Sequence, residues 1–153
     1  YLGNINRVIL KPDLQDLGAF DGIIEQHDGI DLLILAIGDR GHYAQVMPGT
    51  PLNTGFHIAR LIPEFIAAHT KSRGPYEGAR FREYGISLGS RQVLTAKNVI
   101  VMITGESKRK LAKQLFSYDS FNPEFPISIV HHPEVKGKVR VFLSRDASDL
   151  VGE

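Results

Sequence analysis

A chain of 153 residues is long enough for one domain with a sizeable core and too short for two of ordinary size. Hydrophobic residues at 42% and charged ones at 23% exclude intrinsic disorder as the main state. A net charge of +1 argues against a dedicated nucleic-acid binder built on clustered cations while leaving room for a small cationic pocket, and zero cysteines exclude disulfides, thiolate metal sites and a cysteine nucleophile.

Leu14, Leu17, Phe20, Ile23 and Ile24 recur at helical spacing, with Gly29 placed to stop the helix. Residues 32–37 form a continuous apolar run, the pattern of a strand covered by helices on both faces. No longer wholly apolar run exists, so none reaches the ~20 residues needed to span a bilayer. The first residues also lack a basic-then-apolar export signal, and the expectation is a cytoplasmic protein without a membrane partner. After a Gly- and Pro-rich stretch, residues 56–62 predict a strand and 63–69 a short helix opened by Pro63. Residues 70–82 carry Gly74, Pro75 and Gly78 among charges and predict a mobile surface loop.

Residues 84–88 predict a short strand and 98–104 a second buried one. Residues 107–116 follow as a helix with Leu111, Leu115 and Phe116 inward. Pro123 and Pro126 break the chain, and in 138–144 Val139, Val141 and Leu143 alternate against Lys138, Arg140 and Phe142 in a closing strand. Helices alternating with buried strands argue for a single α/β domain over residues 1–153 with a largely parallel sheet. Ligands of such sheets bind beyond the carboxyl ends of the strands. The loops at 38–49 and 105–108 occupy that position.

The first loop reads Gly38-Asp39-Arg40-Gly41-His42, and its glycines let the backbone turn sharply and approach a ligand. His42 either transfers protons near neutral pH or merely satisfies loop carbonyls; position alone leaves both open. The second loop, Thr104-Gly105-Glu106-Ser107-Lys108, opens a helix, where free N–H groups and a lysine suit an anion. Lys108 could equally be a solvated charge beside Arg109 and Lys110. His27, His57, His69, His131 and His132 show no metal-ligand spacing and read as structural, as Tyr43, Phe56 and Phe65 read as core or interface. Arg80 and Arg82 read as solvated charges as readily as functional ones. No metal site or cofactor is implied.

Taken together these segments resemble the glucosamine-6-phosphate and galactosamine-6-phosphate deaminase/isomerase family, which includes 6-phosphogluconolactonases. Its Gly-x-Asp-Gly-His loop and Glu-Pro-Gly turn are matched by the Gly38–His42 frame and by Met47-Pro48-Gly49. Residues 84–89 resemble its Tyr-Ala-Leu-Thr-x-Gly segment, 99–108 its strand and Thr-Gly-Glu-Asn-Lys turn, and 125–133 its closing Pro-Ala-Ser…His-Pro stretch. The match is collinear from Asn4 to Ser148. It implies a three-layer Rossmann-like α/β domain lacking the family's first half.

The reaction implied is aldose–ketose isomerisation of an amino-sugar 6-phosphate with loss of ammonia. His42 would open the sugar ring, Lys108 would anchor the phosphate, and Lys71 falls near the family's second phosphate cation, an arginine. Gly38, Arg40 and Gly41 complete the implied substrate loop. The family's loop acid is Arg40 here and its turn acid is Met47, which leaves Asp39, one position away, as the candidate carboxylate beside His42. Non-catalytic binding of a sugar phosphate, as in a sensor module, is the competing reading. An exposed apolar edge or face implies a homo-oligomer or association with the missing half.

Overall fold

The computed structural model describes residues 14–71 and 83–148, with side chains from 68 to 71 excepted. The predicted loop at 70–82, with Arg80 and Arg82, therefore lies outside the described residues apart from its first two backbone positions, as do the side chains of His69 and Lys71.

The first helix, α1 (Gly18–Gln26), starts later than the apolar spacing predicts, leaving Leu14 64% exposed ahead of it. Phe20 is its buried residue and stacks against Phe56 at 4.9 Å. Gly29 lies just beyond the helix at φ +82°, a conformation that suits residues without a Cβ.

Strands β1 (Leu33–Ala36), β4 (Val99–Ile103) and β5 (Val139–Leu143) form a parallel sheet in the order β1-β4-β5. Leu35 pairs with Val101, which pairs with Val141 on its other side. Between β1 and β4 the chain forms β2 (His57–Arg60), α2 (Pro63–Lys71), β3 (Tyr84–Ser87) and α3 (Ser90–Thr95). The three-stranded sheet is parallel as expected, and β2 and β3 add a separate two-stranded antiparallel sheet that the sequence did not indicate. Their composition explains this. His57 and Arg60 interrupt the apolar run, whereas a central parallel strand needs apolar residues on both sides.

One face of the parallel sheet is the core. Leu33, Leu35, Val99, Val101 and Ile103 pack there with Val93 and Leu94 of α3. Ala112 and Leu115 of α4 (Arg109–Phe116) and Val135 of α5 (Pro133–Lys136) complete it. Phe116, predicted inward, is 56% exposed, because Leu111, Ala112 and Leu115 already fill the inner stripe of α4. Helices α3 and α5 were not foreseen from the sequence, being only one or two turns long. On the sheet's other face Ile34, Met102 and Phe142 are each about half exposed. Among the described residues the sheet therefore carries one helical layer.

Parallel pairing puts the carboxyl ends of all three strands at one edge. Each exits into a 3-10 turn, at Asp39–Gly41, Glu106–Lys108 and Arg145–Ala147 respectively. No helix among the described residues is long and apolar enough to cross a membrane.

Candidate functional site

The turn after β1 is held by backbone bonds, with Gly38 N donating to His42 O at 2.7 Å and Gly41 N to Gly38 O at 3.1 Å. Between them Arg40 takes φ +58°, a left-handed conformation uncommon for a residue with a side chain. His42 folds back over the turn. A Cβ on Gly38 would lie 2.0 Å from its ring, so only glycine admits the imidazole there. Gly41, at φ +76°, is pressed in the same way against Phe125.

His42 is 7% exposed and its Nδ1 meets the Asp39 carbonyl oxygen at 2.7 Å. That oxygen can only accept, so Nδ1 carries the proton and Nε2 is the basic nitrogen of the neutral ring. The Asp39 carboxylate takes a different partner, Lys108 Nζ at 3.2 Å. A single residue thus ties His42 to Lys108, through its peptide on one side and its side chain on the other. The two candidate groups converge at the same end of the sheet.

Lys108 sits at the end of a 3-10 turn, and α4 begins one residue after it. The turn starts at Gly105, at φ +92°, whose N–H donates to Ser144 Oγ at 3.0 Å. Ser144 also donates to the Asp146 carboxylate, and Arg109 bonds the Asp146 carbonyl at 3.0 Å. These contacts bind the exits of β4 and β5 into one platform beneath Lys108.

The positions where the resemblance calls for acids hold an apolar and a cationic residue, each with partners of its own. Met47 is buried in a small cluster with Ala59, Leu61 and Phe65, where a carboxylate would be costly. Arg40 reaches Glu64, with Nη1 to Oε1 at 3.9 Å. Both Glu64 and Phe65 belong to α2, and the Phe65 ring meets His42 edge-on at 5.1 Å. The sequence offers Lys71 at the far end of α2 but does not point to Glu64 or Phe65, since nothing local marks a helix that returns onto a loop some twenty residues earlier. Lys71 lies at the end of α2, and its side chain is outside the described residues.

The remaining histidines with described side chains are held by main-chain groups. His27 Nδ1 meets Ile23 O at 2.8 Å, His57 Nδ1 meets Gly55 O at 3.0 Å and His131 Nε2 meets Leu115 O at 3.0 Å. His132 Nδ1 accepts from Glu134 N at 3.3 Å and caps α5. Tyr43 is wholly buried and donates to Ser90 Oγ at 3.1 Å, and burial pushes its phenol far above the ordinary range. No group of three acids or histidines that could hold a metal occurs among the described residues.

A profile of the glucosamine-6-phosphate isomerases/6-phosphogluconolactonase family matches residues 10–140. A glucosamine-6-phosphate deaminase of Bacillus pumilus is 29% identical over 141 residues, covering 92% of this chain and 56% of the relative. One from Shouchella clausii is 30% identical over 128 residues, covering 82% of this chain and 51% of the relative. Among solved structures, a monomeric glucosamine-6-phosphate deaminase superposes with a TM-score of 0.76 at 22% identity, over 90% of this chain and 55% of that one. A 6-phosphogluconolactonase from Trypanosoma cruzi gives 0.62 at 15% identity, over 95% and 55%. The chain spans about half the length of the curated relatives it matches.

Proposed function

The chain belongs to the glucosamine-6-phosphate isomerase/6-phosphogluconolactonase family, and from that premise we propose that it binds a phosphorylated amino sugar at the exits of β1 and β4. Lys108 holds the phosphate, which displaces the Asp39 carboxylate from its ammonium. Nε2 of His42, the basic nitrogen, moves a proton at the ring oxygen as the sugar opens. Isomerisation then moves a proton from C2 to C1, which leaves C2 as an imine, and water hydrolyses that imine to the ketone with release of ammonia. The observation that supports this reading is the chain of contacts from Lys108 through Asp39 to His42, at 3.2 and 2.7 Å. The proton carrier between C1 and C2 is assigned to the part of the family domain that this chain does not match.

The half-exposed face of the parallel sheet supports an assembled state, with a second copy or the family's other half as its cover. A cytoplasmic setting belongs to the same reading, since a phosphorylated sugar does not cross a bilayer unaided.

Binding without turnover is the second reading, and one observation favours it. His42 is oriented by a peptide carbonyl where an acid would both orient and recharge it. Two measurements separate the readings. Glucosamine 6-phosphate should raise the melting temperature, and Lys108→Ala should abolish that rise. If the protein turns over, ammonia is released and His42→Asn removes it, lowering the rate by about 10²–10⁴-fold. A melting temperature indifferent to every hexose 6-phosphate would overturn both readings.

A further inference from the structure

We propose that Asp39 sets the specificity of this site: displaced from Lys108 by the ligand's phosphate, its carboxylate takes the ligand's ammonium, so the site selects a phosphate that carries an amino group. The inference rests on the reading of Lys108 as the seat of the phosphate and adds a partner for the amino group.

Lys108 Nζ meets Asp39 Oδ1 at 3.2 Å, with the lysine side chain 26% exposed and the aspartate side chain 49%. The other acids described around this turn and the strand exits have partners elsewhere. Glu106 faces Arg109 at 3.7 Å, Asp146 accepts from the Ser144 hydroxyl, and Glu64 faces Arg40 at 3.9 Å. Lys108 and Asp39 therefore form a local dipole with no net charge. A bare dianion gains little from such a pair, because its attraction to the ammonium is offset by the ion pair it breaks and by repulsion from the carboxylate. A ligand that brings both signs exchanges one ion pair for two.

The displaced carboxylate stays at the site. The Asp39 carbonyl accepts from His42 Nδ1 at 2.7 Å and from His42 N at 3.4 Å, which fixes the peptide. Only the two side-chain torsions remain free, so the carboxylate cannot move farther than its own side chain allows from the phosphate seat and from the His42 ring. The neighbouring guanidinium groups are engaged, Arg40 by Glu64 and Arg109 by Glu106 and the Asp146 carbonyl. The new counter-ion of Asp39 therefore comes from the ligand, and a sugar phosphate without an amino group leaves two anions side by side.

Calorimetry on the full chain with two phosphates that differ only at C2 tests this. One is 2-amino-2-deoxyglucitol 6-phosphate, with an ammonium there, and the other is glucitol 6-phosphate, with a hydroxyl. Neither has a carbonyl, so neither can isomerise. The parent should hold the amino compound tighter by roughly 1.5- to 5-fold, the range of a solvent-accessible ion pair. Asp39→Asn keeps the peptide that orients His42 and suits the same turn. It should tighten glucitol 6-phosphate by a similar factor and leave the amino compound nearly unchanged, because that ligand loses a competitor and a partner together. A parent with no preference, or an Asp39→Asn protein that shifts both ligands by the same factor, would overturn the role of Asp39. Lys108→Ala reads the underlying assignment separately and should weaken both phosphates. Parental affinity for both in that variant would overturn the phosphate seat, as would a parent that binds neither.

Discussion

Gly38 decides where the His42 ring can lie. Its φ of −101° is open to any residue, so replacing it with alanine brings no backbone strain, only a methyl group 2.0 Å from the imidazole. The ring must then leave its place over the turn and lose the Asp39 carbonyl. Gly41 is the contrasting case, because at φ +76° alanine adds backbone strain to a clash with the Phe125 ring. Gly38→Ala should cost about 1–3 kcal/mol of stability through overpacking, and Gly41→Ala more, read as shifts in thermal denaturation. Gly38→Ala should also raise His42 acylation by diethyl pyrocarbonate, since the ring is pushed out from behind. A Gly38→Ala protein with parental stability and parental acylation would show that the imidazole does not rest on this turn. His42 was legible as a candidate because an imidazole after a glycine turn at a strand exit can move protons near neutral pH, although its position left a purely structural role equally open. Phe65 was not, since a phenylalanine in a short helix reads as core until the helix is seen to fold back onto the loop.

At the scale of elements, the exits of β4 and β5 are joined by a serine and an acid. The Ser144 hydroxyl is the main cause that holds the Asp146 carboxyl below the ordinary carboxylate range, with desolvation opposing it and the backbone N–H groups of Asp146, Gly105 and Ala147 each helping to a smaller extent. A folded-state value lowered from the unfolded one stabilises the protein above the unfolded pKa, and this contribution is lost as pH falls through the folded value. Melting temperature should therefore decline on acidification below about pH 4. Ser144→Ala should make this part of the acid decline shallower, and an unchanged slope would count against the Ser144–Asp146 link. The same substitution removes the Ser144 hydroxyl as an acceptor for Gly105 N–H, so Lys108 should hold a hexose 6-phosphate less firmly. The strands that carry these loops were legible because buried parallel strands are dense in Val, Ile and Leu. The antiparallel pairing of β2 with β3 was not, since partner choice depends on a crossover that spans α2 and leaves no periodic trace. Helices α3 and α5 escaped for a related reason: at six and four residues they are too short for a 3.6-residue period to register.

For the whole molecule the informative surface is the second face of the parallel sheet. Its register aligns Ile34 with Ile100 and Arg140 in one row and Ala36 with Met102 and Phe142 in the next, an apolar face with a single charge at one edge. The continuous apolar run at 32–37 foretold a strand covered twice, and the described residues supply one of the two covers. Ile34 at 57% and Phe142 at 52% exposure mark where the other belongs. Sequence could specify that both faces are apolar because that is written in the strands themselves; what covers the second face is not. The two faces should respond oppositely to substitution. Val101→Ala, on the filled face at 0% exposure, should cost about 2 kcal/mol in stability with no change in assembly. Phe142→Lys, on the bare face, should change stability by less than about 0.5 kcal/mol. Its effect should fall on association: light scattering of the parent chain should show mass rising with concentration, and Phe142→Lys should suppress the rise. A parent that stays monomeric at high concentration, with Phe142→Lys costing as much stability as Val101→Ala, would mean that this face is covered within the chain after all.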